Sequence, residues 1–297
     1  MKNRVRVPFL RIMAIIFFLG IVLIIVELRI LIRNQIQPVI NPSPLSASSP
    51  YPSPTVSPSP TSSPSPLSFS EMNARFGPCT YAPTLFYHHV ENLDQAQKEN
   101  HKQFTVGDNF FRIQMQYLQG NGYTVIRMQD VINFFDTGTK LPGKSILLTF
   151  DDGYSDFHAT AFPILREFGF AGTLFLPTGL TGNTGYVTWN DVEDLKNGGL
   201  ILVANHTWSH HNVAGAAAVV EKEISTADTQ LTQHGLNIPK VFAYPYGIEA
   251  PQAITFLNKL NYQLAFTTEP GRTLCKQKRL ELPRVRIGNS NLNAYSL

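Results

Sequence analysis

The chain reads as an α/β protein whose strands form a parallel sheet or a (β/α) barrel. Three observations predict this. Short apolar runs alternate with amphipathic segments through residues 76–297. One run, 145–150, is almost wholly apolar, as a strand buried on both faces must be. Chemically able side chains cluster where such runs end, which is where parallel α/β folds place their sites.

Taken in order, the strand-like runs are 84–87, 123–126, 145–150, 172–176, 200–204, 241–244, 263–267 and 282–287. Helix-like segments lie between them at 109–119, 128–135, 156–168, 188–197, 219–233 and 250–260. A helix between successive strands lets each strand return parallel to the last. The chain shows no internal repeat.

The first 36 residues belong to a different solvent. Lys2, Arg4, Arg6 and Arg11 precede an uncharged apolar run from Ile12 to Val26, which Glu27 interrupts and Leu28 to Ile32 resume. Counted from Pro8 to Ile32 the stretch is long enough to span a bilayer, with Arg11 snorkelling and Glu27 and Arg29 near the outer interface. The basic flank predicts a cytoplasmic amino end. The residues after the run, Glu27-Leu28-Arg29-Ile30, offer no small-residue cleavage site, so 1–36 reads as an uncleaved anchor. Residues 37–75 are dominated by Pro and Ser and read as a disordered, semi-rigid spacer. The catalytic-size domain is 76–297, outside a cell membrane crossed once.

The net charge of +3 comes from the anchor. Residues 1–33 carry six basic groups against Glu27, a net of +5, so the remainder is −2. An exported part without basic excess argues against a nucleic-acid partner. Cys79 and Cys275 stand near the two ends of the domain. In an exported protein such a pair reads as a disulfide, with two unpaired thiols as the alternative.

Four strand ends carry the candidate chemistry. Asp151 and Asp152 follow Phe150, and two adjacent carboxylates need a compensating charge, such as a metal held by one while the other serves as a base. The run Asn205-His206-Thr207-Trp208-Ser209-His210 places two imidazoles four apart, able to join a carboxylate around one cation. Tyr244-Pro245-Tyr246-Gly247 can aim the Tyr246 amide as an oxyanion donor. Leu85-Phe86-Tyr87-His88-His89 offers a histidine that titrates near neutrality.

Together, Thr149-Phe-Asp-Asp-Gly153, His206-Thr-Trp-Ser-His210 and Tyr244-Pro-Tyr-Gly247 resemble the first three motifs of the polysaccharide deacetylases, the NodB-homology or carbohydrate esterase family four enzymes. The resemblance covers about 84–287. It implies a distorted (β/α) barrel and a divalent metal, usually zinc, sometimes cobalt or nickel. It implies hydrolysis of N-acetyl groups on β-linked N-acetylglucosamine polymers, or of O-acetyl groups in some relatives, and the anchor and spacer make an acetylated, N-acetylglucosamine-containing polysaccharide of the cell envelope the expected substrate. Asp152, His206 and His210 would then be metal ligands, Asp151 the base acting on metal-bound water, and the Tyr246 amide an oxyanion donor. The last histidine in the chain is His234, so nothing matches the acid near the carboxyl end that most of the family carries. The Leu-Phe-Tyr-His-His opening instead resembles the poly-β-1,6-N-acetylglucosamine branch, whose acid comes from the first strand; this would be His88.

Two departures stand out. The third-motif arginine that pairs with the catalytic Asp in many relatives is Ala243 here, and Arg284, on a late strand, is the candidate substitute, with a surface strand residue as the alternative reading. No Asp-x-x-Asp-Trp motif is recognisable, and Trp189 and Trp208 read as packing residues. Two other functions compete. Two His and one Asp also describe non-haem iron oxygenases, but their usual ligand order is the reverse of this one. A catalytically impaired glycan-binding domain of the same fold is favoured only by Ala243.

Overall fold

The computed structural model describes residues 67–297. No helix among them is long and apolar enough to cross a membrane. The anchor read in 1–36 lies outside the described residues, as does most of the spacer. A capped helix, α1 (Phe69–Phe76), occupies the last part of the stretch read as spacer.

From there the order is β1 (Cys79–Tyr81), β2 (Thr84–Tyr87), β3 (His89–Glu91), α2 (Leu93–Lys98), β4 (Thr105–Gly107), α3 (Asp108–Gly120), β5 (Thr124–Val125), α4 (Met128–Thr137) and β6 (Ser145–Phe150). Next come α5 (Phe162–Phe168), β7 (Gly172–Leu176), α6 (Trp189–Asn197), β8 (Ile201–Asn205), α7 (Ala217–Gln233) and β9 (Val241–Ala243). Then follow α8 (Pro251–Lys259), β10 (Leu264–Pro270), β11 (Thr273–Cys275) and β12 (Leu282–Arg286).

Seven parallel strands close a barrel in the order β2-β12-β10-β9-β8-β7-β6 and back to β2. β5 pairs only with the start of β6, Thr124 opposite Ser145, so it flanks the ring. All eight strand-like runs of the sequence are therefore strands, displaced by a few residues at some ends. The four other strands, β1, β3, β4 and β11, are three residues each, too short for a periodic signal. The expected helix 156–168 begins instead as a π-helical turn, Phe157–Ala161, followed by α5 with Pro163 in its first turn, where the missing N–H costs nothing.

β6 is buried along its whole length, which is why it reads as an unbroken apolar run. Leu148 and Phe150 face the surrounding helices with Phe157, Leu165 and Leu174. Leu147 faces inward with Phe175, Ala243, Phe266 and Leu282. Outside the barrel, Cys79 and Cys275 pair across the antiparallel β1–β11 ladder and form a disulfide that links residues 196 apart.

Candidate active site

The carboxyl ends of the strands open into a cleft of about 600 Å³, lined by His88, Asp151, Asp152, His206, His210 and Tyr246 among others. All the candidate residues read from the sequence line it except Arg284, which lies beneath Asp151. A smaller apolar cavity of about 240 Å³ opens at the amino ends of the strands, lined by Ile126, Leu200 and Ile238 among others.

Asp151 directly follows β6 and is 3% exposed. Arg284, fully buried on β12, meets it with both guanidinium arms, Nη1 to Oδ1 and Nη2 to Oδ2, each at 2.8 Å. Nε of Arg284 donates to the Thr267 carbonyl at 2.8 Å. Its guanidinium also lies over the Phe86 ring, 4.4 Å from the centroid. Alternation along β12 turns Leu282 and Arg284 into the barrel, which carries the guanidinium to the base of Asp151. Ala243 cannot supply that charge; the neighbouring strand order lets Arg284 supply it. Burial favours the neutral acid, but the Arg284 charge and hydrogen bonds outweigh it and hold the Asp151 carboxyl below its ordinary value.

Removing one partner of such a pair leaves a buried charge uncompensated. Arg284→Met is expected to destabilise the domain by about 3 to 5 kcal/mol, read as a fall in Tm at neutral pH. The sign of the pH dependence follows from the lowered Asp151 pKa. The stabilisation is present above about 3.9, the unfolded carboxylate value, and is lost as pH falls through the lower folded value. The Tm difference between wild type and Arg284→Met should therefore shrink in acid; a difference independent of pH would contradict the ion-pair account.

Asp152 takes a left-handed backbone conformation, φ 74°, and Gly153 follows at φ 69°. A Cβ on Gly153 would fall 2.5 Å from Leu176 Cδ1, so only glycine fits the turn. This turn aims the Asp152 carboxylate at two imidazoles: Oδ1 lies 3.3 Å from Nε2 of His206 and 3.1 Å from Nε2 of His210. Thr207, His210 and Tyr246 are also left-handed, with φ of 67°, 59° and 61°. Strain of this kind persists where surrounding structure over-determines it, commonly at functional sites.

Residues outside the motifs hold the histidine loop. The Asn205 side chain accepts from the Thr207 N–H at 2.7 Å and donates to the Tyr262 hydroxyl. Glu223, on α7, accepts from both the N–H and the hydroxyl of Ser209, each at 2.8 Å. Nδ1 of His206 donates to the Ala243 carbonyl at 2.8 Å. A carbonyl only accepts, so the proton sits on Nδ1 and the Nε2 lone pair faces Asp152. No sequence spacing announced Glu223 or Asn205, because their roles exist only once α7 packs on β8.

Asp152, His206 and His210 fit a divalent cation. Oδ1 of Asp152 is buried and no hydrogen bond reaches it, although two imidazole nitrogens stand beside it. A buried carboxylate oxygen without a partner is costly, and a cation at the shared focus satisfies all three donors. Two His and one carboxylate with an open side is a catalytic zinc donor set.

Tyr246 bends the chain at the cleft mouth. Gly247 follows at φ 74°, where a Cβ would collide with Thr268 Oγ1 at 1.8 Å. The Tyr246 ring stands edge-on to His210, centroids 4.8 Å apart.

The two histidines after β2 part company. His88 lines the cleft, half-buried between Phe86 and Phe104. Burial lowers its pKa, against the pull of the nearby Asp151 and Asp152 carboxylates. His89 turns away and pairs with Asp156, Nδ1 to Oδ2 at 2.6 Å. It also stacks on His101, planes 8° apart and centroids 4.0 Å apart. His89, Glu91 and His101 are near enough to hold an ion. Parallel stacked rings direct their in-plane lone pairs side by side, however, not at a common point. Glu91 instead pairs with Nε2 of His101, which makes this a hydrogen-bonded buttress. Trp189 stacks on His234 outside the cleft, and Trp208 packs over Gly179.

Comparison with known proteins gives one consistent result. The family profile described as polysaccharide deacetylase matches residues 138–265. The chain is 28% identical over 250 residues to the poly-β-1,6-N-acetyl-D-glucosamine N-deacetylase of Escherichia coli K12, covering 69% of this chain and 36% of that protein. The chain thus spans about a third of that relative. It is 24% identical to the Staphylococcus epidermidis protein of the same name, covering 70% of this chain and 79% of that one. The structure of the Streptococcus pyogenes deacetylase PplD in complex with acetate superposes with a TM-score of 0.64 at 25% identity, covering 70% of this chain and 92% of that one.

Proposed function

Because the chain belongs to the polysaccharide deacetylase family, we propose that it removes N-acetyl groups from an N-acetylglucosamine-containing polysaccharide of the cell envelope. The carrying observation is the convergence of Asp152, His206 and His210 beside the Asp151–Arg284 pair at the open end of the barrel. The names of the relatives make a β-1,6-linked polymer the first substrate to try. The apolar run in 1–36, with its basic flank, supports a membrane-anchored placement with the domain outside the cell.

Asp152, His206 and His210 would hold the divalent cation, zinc in the first instance, which supplies Lewis acidity for activating water and polarising the acetyl carbonyl. Asp151 stays ionised at neutral pH because Arg284 lies against it, so it can accept a proton from the attacking water. Arg284 grips both Asp151 oxygens and thereby orients the carboxylate. The Tyr246 N–H, on its bend at the cleft mouth, is the candidate donor to the developing oxyanion. His88 would give a proton to the departing nitrogen. It has no hydrogen-bond partner in the cleft among the described residues, so its ring nitrogens are available to substrate.

The alternative is a catalytically impaired binding domain, which Ala243 favours; the Arg284 guanidinium beside Asp151 supports turnover instead. His88→Ala is expected to slow turnover by about 10² while sparing the metal, the scale of a lost general acid. Parallel metal analysis and single-substrate kinetics check it, and an undiminished kcat would remove His88 from the mechanism. The reading as a whole is tested by acetate release from the full chain, zinc- or cobalt-loaded, on β-1,4- and β-1,6-linked N-acetylglucosamine oligomers. Release establishes the activity, and the preferred linkage narrows the polymer. No release from either would overturn the substrate assignment.

A further inference from the structure

The cleft is much larger than the acetamide on which Asp151 and the metal-binding triad would act. Two of its walls carry exposed aromatic rings, Tyr246 and Phe104, 64% and 41% exposed. Tyr246 belongs to the bend already described. Phe104 has no part in the chemistry so far. It closes a short 3-10 turn, Lys102–Phe104, on the β3–β4 segment added to the barrel after β2.

Arg286, the last residue of β12, lies over Phe104 with its guanidinium 5.0 Å from the ring centroid. One of its nitrogens donates to the Gln103 carbonyl at 3.3 Å. The side chain is exposed, lines the same cleft and pairs with no carboxylate among the described residues. Most of its five donors are therefore free. On its inner side Phe104 meets the His88 ring, centroids 5.5 Å apart.

This order, from the metal-binding triad to His88 to Phe104, has a chemical consequence. If His88 protonates the departing nitrogen, that nitrogen lies within hydrogen-bond reach of His88, and the sugar carrying it has the part of the cleft that Phe104 and Arg286 also line in which to sit. We propose that Phe104 and Arg286 are specificity-determining residues that bind the pyranose ring carrying the acetamide. Phe104 packs on the ring's apolar C–H face, and Arg286 donates hydrogen bonds to hydroxyl oxygens of that sugar or the next. The pair thus selects a saccharide chain over a small acetylated amine. This inference rests on the deacetylase reading and on His88 as the acid.

The test is steady-state kinetics of the full zinc-loaded chain on a β-linked N-acetylglucosamine pentamer of the linkage that wild type prefers. Phe104→Leu keeps the bulk and removes the aromatic face; Phe104→Tyr restores a ring; Arg286→Gln removes the charge and most donors. The Leu and Gln variants are expected to raise KM about tenfold with a much smaller change in kcat, while Tyr keeps KM near the wild-type value. Zinc content is measured alongside. A fall in kcat with KM unchanged would show that Phe104 acts only by positioning His88, and would overturn the proposal. Wild-type KM in both Phe104→Leu and Arg286→Gln would also overturn it. A wild-type chain that releases no acetate from any oligomer would overturn the substrate assignment first, which is a separate result.

Discussion

With Asp151 as the proposed base, Asp151→Asn is expected to bind zinc as the wild type does and to lose turnover by about 10² or more. The amide keeps the shape of the carboxylate and leaves Asp152, His206 and His210 untouched, so the proposed metal donors survive. It cannot accept the proton that the attacking water must lose. Arg284 makes the result sharper, because its two arms grip the Asp151 oxygens at 2.8 Å and hold the carboxylate in one orientation. In Asp151→Asn that guanidinium is buried without a counter-charge, so a lower Tm should accompany the lost activity. Metal analysis, acetate release and thermal unfolding on the same preparation read all three. Normal turnover with bound zinc would remove Asp151 as the base.

His206→Ala is expected to lose both metal and activity. His206 is 2% exposed, and its Nδ1–H···O=C bond to Ala243 sets the tautomer that presents Nε2 toward Asp152. Alanine takes away one of the three proposed ligands and leaves the Asp152 carboxylate facing His210 alone. Zinc stoichiometry should fall well below one per chain, and acetate release should fall to background. Excess zinc that restores both would show the loss to be one of affinity. Stoichiometric zinc in His206→Ala would place the metal elsewhere.

The site was legible in unequal parts. Asp151, Asp152, His206 and His210 could be read because each follows an apolar run directly, and a strand end is a local pattern. That they converge was expected from the barrel, and Oδ1 of Asp152 does lie 3.3 and 3.1 Å from the two imidazole nitrogens. Arg284 could only be suspected. It stands 133 residues from Asp151, and its register on β12 beside β2 and β10 decides where the guanidinium goes. Position in the chain did not separate His88 from His89; only the resemblance pointed to His88. Strand alternation and the Asp156 carboxylate separated them, turning one into the cleft and the other into a stack with His101.

By itself the sequence determined the alternation of strands and helices, the eight runs that become strands, and the polar groups at their ends. These depend on local periodicity, which a linear pattern records. Only the tertiary structure decided which strands close the ring, that Cys79 meets Cys275, that Glu223 holds the histidine loop, and that Arg284 neutralises Asp151. Those outcomes depend on contacts between residues far apart in the chain. Such contacts are selected by burying apolar faces together and by pairing every charge that burial carries inward.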